Sequence, residues 1–364
     1  MTIIIILLFI FIIATARPTK FNEEYLDKKY TNTIKGIFLS FVFISHFISY
    51  KPFFQDSFID SIGIKFIKGF GQLMVTLFLF YSGYGVMESI KKKGEDYIKG
   101  FPKKRILTTV LNFDFVVLIY MIISICFKMS KFSLNKLILS LIGWDGFGNS
   151  NWYIFTILIM YSITFIVVKI FKNRKARVIS IFLATILYTI IMGYFKEKYW
   201  YNTTFCFTLG IFISAYKDAI ENWVKGKEWV LLFLFIVFFI ISYSLPEYKV
   251  WYYICTISFT LAIIVLTKKI KFNNMIFEWM GKNLFPLYMF QRIPMMLLIK
   301  IEFMKNNTYQ YFILSLIITI IITVIYNELI LLENKMFKAK DTWNINLTLI
   351  VMCDRILKDL IKRT

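Results

Sequence analysis

Apolar stretches long enough to cross a bilayer recur along almost the whole chain, and nothing else in the sequence restricts its fold as much. Crossing about 30 Å of hydrocarbon as helix takes roughly 17–25 residues. Runs of this kind lie near 2–16, 34–50, 62–87, 106–127, 152–171, 178–195, 199–216, 229–245, 250–267, 283–301 and 310–332 of the 364 residues. Lipid offers the backbone no hydrogen-bond partners, so segments of this length are expected to be helices. The expected fold is all-α: a polytopic transmembrane bundle of about eleven spans. Composition agrees, since only 18% of residues are charged against about 25% in soluble domains. The shortest run, 2–16, ends in Ala14-Thr15-Ala16, faintly like a signal-peptidase site. No basic segment precedes it, so it is read as a retained span.

The net charge of +21 would suit nucleic acid if the cations formed one patch. They alternate with the spans instead. Placing 88–105 in the cytoplasm puts 17–35, 169–177, 217–227, 268–282 and 333–364 there too, and those segments hold 31 basic residues against 11 opposite. Cytoplasmic loops carry such an excess in membrane proteins. The chain is expected in the cell membrane as a multi-pass protein, N-terminus outside and C-terminus cytoplasmic. Its basic excess then faces anionic lipid, and no nucleic-acid partner is needed. The tail 344–364 has apolar residues at helical spacing and late cations, as in a helix lying on the inner leaflet.

Ionisable groups inside spans are costly and usually face a bundle interior or aqueous cavity. Four stand out: Lys35, His46, Asp114 and Arg292. Lys35 and His46 lie eleven residues apart, close to three helical turns, so both project from nearly one face about 16 Å apart. Lysine at a cytoplasmic helix end also snorkels by default. His46, the one histidine in the chain, is either an interfacial group or a general base. Asp114 and Arg292 each lie nine residues from the expected cytoplasmic start of a span, about 13 Å deep. Opposite charges at matched depth are expected to pair or to line a cavity. A lone histidine and four dispersed cysteines, without C-x-x-C, give no expected metal site.

The exterior segment 143–153, GWDGFGNSNWY, combines glycines, Asp145, Asn149, Ser150 and Asn151 with aromatic rings. Carboxylate and amide groups beside Trp144, Trp152 and Tyr153 suit a sugar, which offers hydroxyls at its edge and C–H groups on its face. An interfacial aromatic belt accounts equally well for Trp152 and Tyr153.

Five stretches together resemble the acyltransferase 3 family of integral membrane O-acyltransferases. In 34–47, IKGIFLSFVFISHF, a basic residue precedes histidine by ten intervening residues, although the family more often has arginine there. QLMVTLFLFYSGYGV at 72–86 resembles the next helix with its Ser-Gly turn, and FPKKRI at 101–106 the cytoplasmic arginine motif. NWYIFTILIMY at 151–161 and GKNLFPLYMFQ at 281–291 resemble two later helix starts. The resemblance spans about 31–332, ten of the eleven expected spans. It divides the chain into an N-terminal span with linker (1–30), an acyltransferase-like domain (31–332) and a cytoplasmic amphipathic tail (333–364). Two departures are present: Thr108 stands where a second arginine is usual, and Gln291 where the C-terminal helix usually has histidine.

The resemblance implies transfer of an acyl group, usually acetyl, from cytoplasmic acyl-CoA to a hydroxyl of a cell-envelope glycan or lipid-linked sugar. His46, with Lys35, would be catalytic. Lys103, Lys104 and Arg105 would meet the anionic donor, acetyl-CoA. Trp144, Asp145, Asn151, Trp152 and Tyr153 would meet the acceptor. Two other classes share these residues: a secondary transporter using His46, Asp114 and Arg292 as a relay, and a flippase for lipid-linked glycans. Transporters tend to carry Gly- or Pro-broken helices paired between two halves, whereas Pro286 and Pro294 here crowd into one span.

Overall fold

The computed structural model describes residues 1–50, 58–245 and 249–339, and they are almost wholly helical. Along the chain run α1 (Thr2–Thr15), α2 (Lys28–Tyr50), α3 (Phe58–Phe70) and α4 (Leu73–Phe101). After a π-helical turn at Pro102–Leu107 come α5 (Thr108–Cys126), α6 (Leu134–Leu141), α7 (Trp152–Ile170), α8 (Arg174–Phe195) and α9 (Phe205–Ala215). Next are α10 (Lys217–Val224), α11 (Glu228–Tyr243), α12 (Lys249–Lys269), α13 (Met275–Lys282), α14 (Leu284–Phe290), α15 (Arg292–Leu298), α16 (Glu302–Asn306) and α17 (Thr308–Ala339). The expected tail helix at 344–364 lies outside the described residues.

Among the described residues six helical stretches are long and apolar enough to cross a membrane, and one of them, Phe58–Cys126, runs through two of the spans read from sequence. Thr2–Thr15, Glu228–Tyr243 and Leu284–Leu298 are apolar but shorter. A multi-pass helical bundle is therefore established, and the full count of about eleven remains an expectation.

Two close helix crossings organise the interior. A methyl group at Gly83 would run into the Phe207 carbonyl, and one at Gly210 into the Phe80 carbonyl. Gln72 donates to the Tyr199 carbonyl at 2.8 Å beyond one end of this contact, and Ser214 to Glu88 at 2.9 Å beyond the other, so α4 and α9 run in the same direction. Gly36 against Phe277 and Gly281 against Asn32 bring α2 and α13 together in the same way. Lipid tails are as apolar as leucine, so helices in membranes associate through such close backbone approach and interhelical hydrogen bonds. Thr156 and Tyr188 both reach the Trp200 carbonyl, at 3.1 and 3.0 Å, and Thr185 meets Thr208 at 2.8 Å.

One small sheet escapes the all-α expectation. Strand β1 (Ala16–Pro18) pairs antiparallel with β2 (Ile270–Phe272), Ala16 opposite Phe272. These are two segments that the charge count assigns to one face, and here they are hydrogen-bonded to each other.

Candidate active site

His46 and Tyr50 lie one turn apart on α2, and Tyr288 and Arg292 lie one turn apart across the α14–α15 junction. The two pairs mate: the His46 and Tyr288 ring centroids are 6.0 Å apart, and the Arg292 guanidinium stands 5.8 Å from the Tyr50 ring. Residues four apart share a helix face, so each pair presents both members to the other helix. The junction between α14 and α15 is held by Tyr120 of α5, whose hydroxyl donates to the Met289 carbonyl at 2.7 Å and meets the backbone amides of Arg292 and Ile293. His46 Nδ1 is buried and has no hydrogen-bond partner among the described residues.

Arg292 is level with the outer end of α2 and not near mid-depth. Counting from Asn283 misplaces it, because helical structure already begins at Met275 and Asn283 is an internal break, bonded to Asn327 of α17 at 2.7 Å. No ion pair joins Arg292 to Asp114. Asp114 lies six residues before Tyr120, about 9 Å further towards the basic end at Pro102–Leu107. One of its carboxylate oxygens is buried without a partner among the described residues. The expected pairing of the two charges therefore does not form. Gln291, at the place of the family's second histidine, is fully buried and donates to the Tyr288 carbonyl at 2.9 Å.

The exterior loop is joined to this cluster. Arg292 Nη1 donates to the Gly148 carbonyl at 3.2 Å, and the Tyr288 and Ser150 side chains are hydrogen-bonded. Gly148 has φ +102, backbone that other residues rarely adopt. The opposite side of the loop lines an open pocket of about 440 Å³ with Trp144, Asp145, Asn149, Asn151, Glu197 and Trp200 among its walls. Lys196 stands over the rings of Trp144 and Trp200, 4.1 and 4.4 Å from their centroids, and donates to the Trp144 carbonyl at 2.7 Å. Burial lowers its pKa below the usual lysine range, although Asp145 pulls the other way. Trp144, Asp145 and Asn151 thus meet in one pocket. Trp152 packs on Tyr199 beside it, and Tyr153 turns inward to Tyr288, with ring centroids 5.6 Å apart.

At the other end, Pro102 removes a backbone donor and clashes with the preceding turn, and the helix widens into a π turn there. Such insertions are frequent at functional sites. Lys103 and Lys104 are exposed on this turn, while Arg105 points inward to Tyr97 at 3.1 Å and to Tyr161. Lys35 lies within electrostatic reach of Lys28 and Arg105, so the structure groups it with this basic end and away from His46. Between the two ends runs a polar line: Tyr161 bonds Ser82, Ser82 bonds Tyr153, and Tyr153 faces Tyr288.

The helical membrane bundle thus carries a half-buried histidine at one end of a polar line and a basic cluster at the other. The chain belongs to the acyltransferase 3 family, whose acyltransferase-domain model matches residues 28–328. No curated protein and no solved structure matches it.

Sequence reasoning missed Tyr50, Tyr120, Tyr288, Ser82, Lys196 and Glu197. The first and third were findable, since each lies four residues from a charged or titratable group already singled out.

Proposed function

We propose that this acyltransferase moves an acyl group, acetyl in the simplest case, from cytoplasmic acyl-CoA to a hydroxyl of a cell-envelope glycan or lipid-linked sugar. The observation that carries the reading is His46 set at the base of a loop whose other side lines a pocket of carboxylates, amides and indole rings. A positioned histidine can take the proton of an attacking hydroxyl. Carboxylates and amides can bond a polyol, and aromatic faces can cover its C–H groups.

Lys103, Lys104 and Arg105, with Lys35 behind them, would hold the donor's phosphates. Arginine can do so with its bidentate fork and lysine as a point charge. The line Tyr161–Ser82–Tyr153–Tyr288 would border the passage between donor and base. Asp145, Asn151, Glu197 and Trp200 would hold the acceptor, with His46 as general base.

The test is thiol release from acetyl-CoA by the purified protein in detergent or nanodiscs, with ester analysis of surface polysaccharide from cells with and without it. Acetyl esters that vanish with the protein support the reading. Unchanged esters together with uptake of a labelled solute would replace it with a transporter.

A further inference from the structure

We infer that Arg292 is a catalytic residue whose guanidinium receives the negative charge that develops on the thioester carbonyl oxygen. The inference rests on the acyltransferase reading above and deepens it. Attack by the acceptor hydroxyl moves the carbonyl π electrons onto that oxygen while His46 takes the hydroxyl proton. When the carbonyl re-forms, the carbon–sulfur bond breaks, and the thiolate takes the proton from His46. An ester and a free thiol result, with no other reactant. The charge on oxygen peaks between these steps, and a donor already aimed at it lowers the barrier most.

Arg292 has the features such a donor needs. It makes no ion pair with any carboxylate among the described residues. Arg292 is half-buried at the end of the bundle, and an ionisable group without a counter-charge at such a place marks a functional site. The side chain is also held in place: Nη1 is tethered to Gly148, the Tyr50 ring lies beneath the guanidinium, and Tyr120 holds its backbone amide. Nε remains a buried donor without a partner among the described residues. Its charge is felt at both His46 and Tyr288, which places it at the base and not at the far wall of the pocket. Gln291 donates to the Tyr288 carbonyl, whereas Arg292 Nε has no partner among the described residues.

The experiment measures thiol release from acetyl-CoA by wild type and by Arg292→Lys, Arg292→Met and Arg292→Ala, with glycan as acceptor and folding checked by monodisperse elution. Arg292→Met should lose on the order of 10²-fold in kcat with either KM changed by less than about 3-fold, as for removal of an oxyanion donor. Arg292→Lys should keep part of that rate. Added guanidinium ion should recover about 10-fold of the kcat lost in Arg292→Ala, a response that a structural tether would not give. A rise in acceptor KM at unchanged kcat would overturn the inference and assign Arg292 to acceptor binding. Equal losses in all three variants without rescue would overturn it in favour of a structural role. A wild-type protein that releases no thiol overturns the acyltransferase reading and this inference together, whereas a variant that keeps kcat overturns this inference alone.

Discussion

The basic end and the histidine end of the bundle handle charge in opposite ways. Around Pro102–Leu107 cations are numerous and mostly exposed, and a helix irregularity presents them. Around His46 there is one cation among the described residues, held by a backbone carbonyl and an aromatic ring, and the hydroxyls of Tyr120 and Tyr288 both have partners. Exposed charges attract an anion at long range and tolerate exchange among themselves, since salt and water screen each one. A buried charge acts only where it is fixed. The contrast teaches that the crowded end suits capture and the sparse end suits chemistry.

His46→Ala is the hardest blow to that division. It should lower kcat by about 10²–10⁴-fold, the usual contribution of a general base, while expression and elution stay near wild type. Substantial esterification by a well-folded His46→Ala protein would break the comparison at its outer end.

Neutralising Lys103, Lys104 and Arg105 together to Gln should act on the donor KM and leave kcat largely alone. A rise of about 10-fold at low salt, shrinking as ionic strength increases, is expected of screened phosphate contacts. Arg105→Gln alone should carry more of the loss than either lysine, because only Arg105 is anchored to Tyr97 and Tyr161. Equal contributions from all three would show that placement does not matter at this end.

Trp200→Ala removes one wall of the outer pocket and half of the cage around Lys196. Acceptor KM should rise several-fold, in the range of about 1 kcal/mol for a lost cation–π and stacking surface, with donor KM unchanged. The smallest effect sharpens the comparison from within the bundle. In a cycle of Asp114→Asn and Arg292→Met, the two changes should add to within about 0.5 kcal/mol, because no ion pair joins them.

Much of this molecule was legible in its sequence because a bilayer leaves so few options. Apolar run length gave the helices, and the alternation of lysine and arginine brought together segments, such as 17–35 and 268–282, that the β1–β2 ribbon joins. His46 was marked by being alone, and Trp144, Asp145 and Asn151 by a composition unlike lipid-facing helix. Depth was the weak point. Helices here begin and break at hydrogen bonds that hydropathy does not register: α13 starts at Met275, eight residues before Asn283, which carries Arg292 about 12 Å beyond its expected level. The polar line through Ser82 was invisible for a related reason. Tyr153, Tyr161 and Arg105 lie on two segments whose rotation about their own axes no sequence pattern specifies.

The tether between Arg292 and Gly148 constrains how relatives of this chain can diversify. One arginine fixes the near wall of the pocket to the helix that faces the histidine, so residues 148–150 cannot drift without moving Arg292 and Tyr288. The far wall, Lys196 to Trp200, is held elsewhere: Thr156 and Tyr188 reach the Trp200 carbonyl and Gln72 the Tyr199 carbonyl, and no bond among the described residues joins it to Arg292. On the function proposed above, a new acceptor would be acquired by changing side chains of that far wall, a remodelling that leaves His46 and Arg292 untouched.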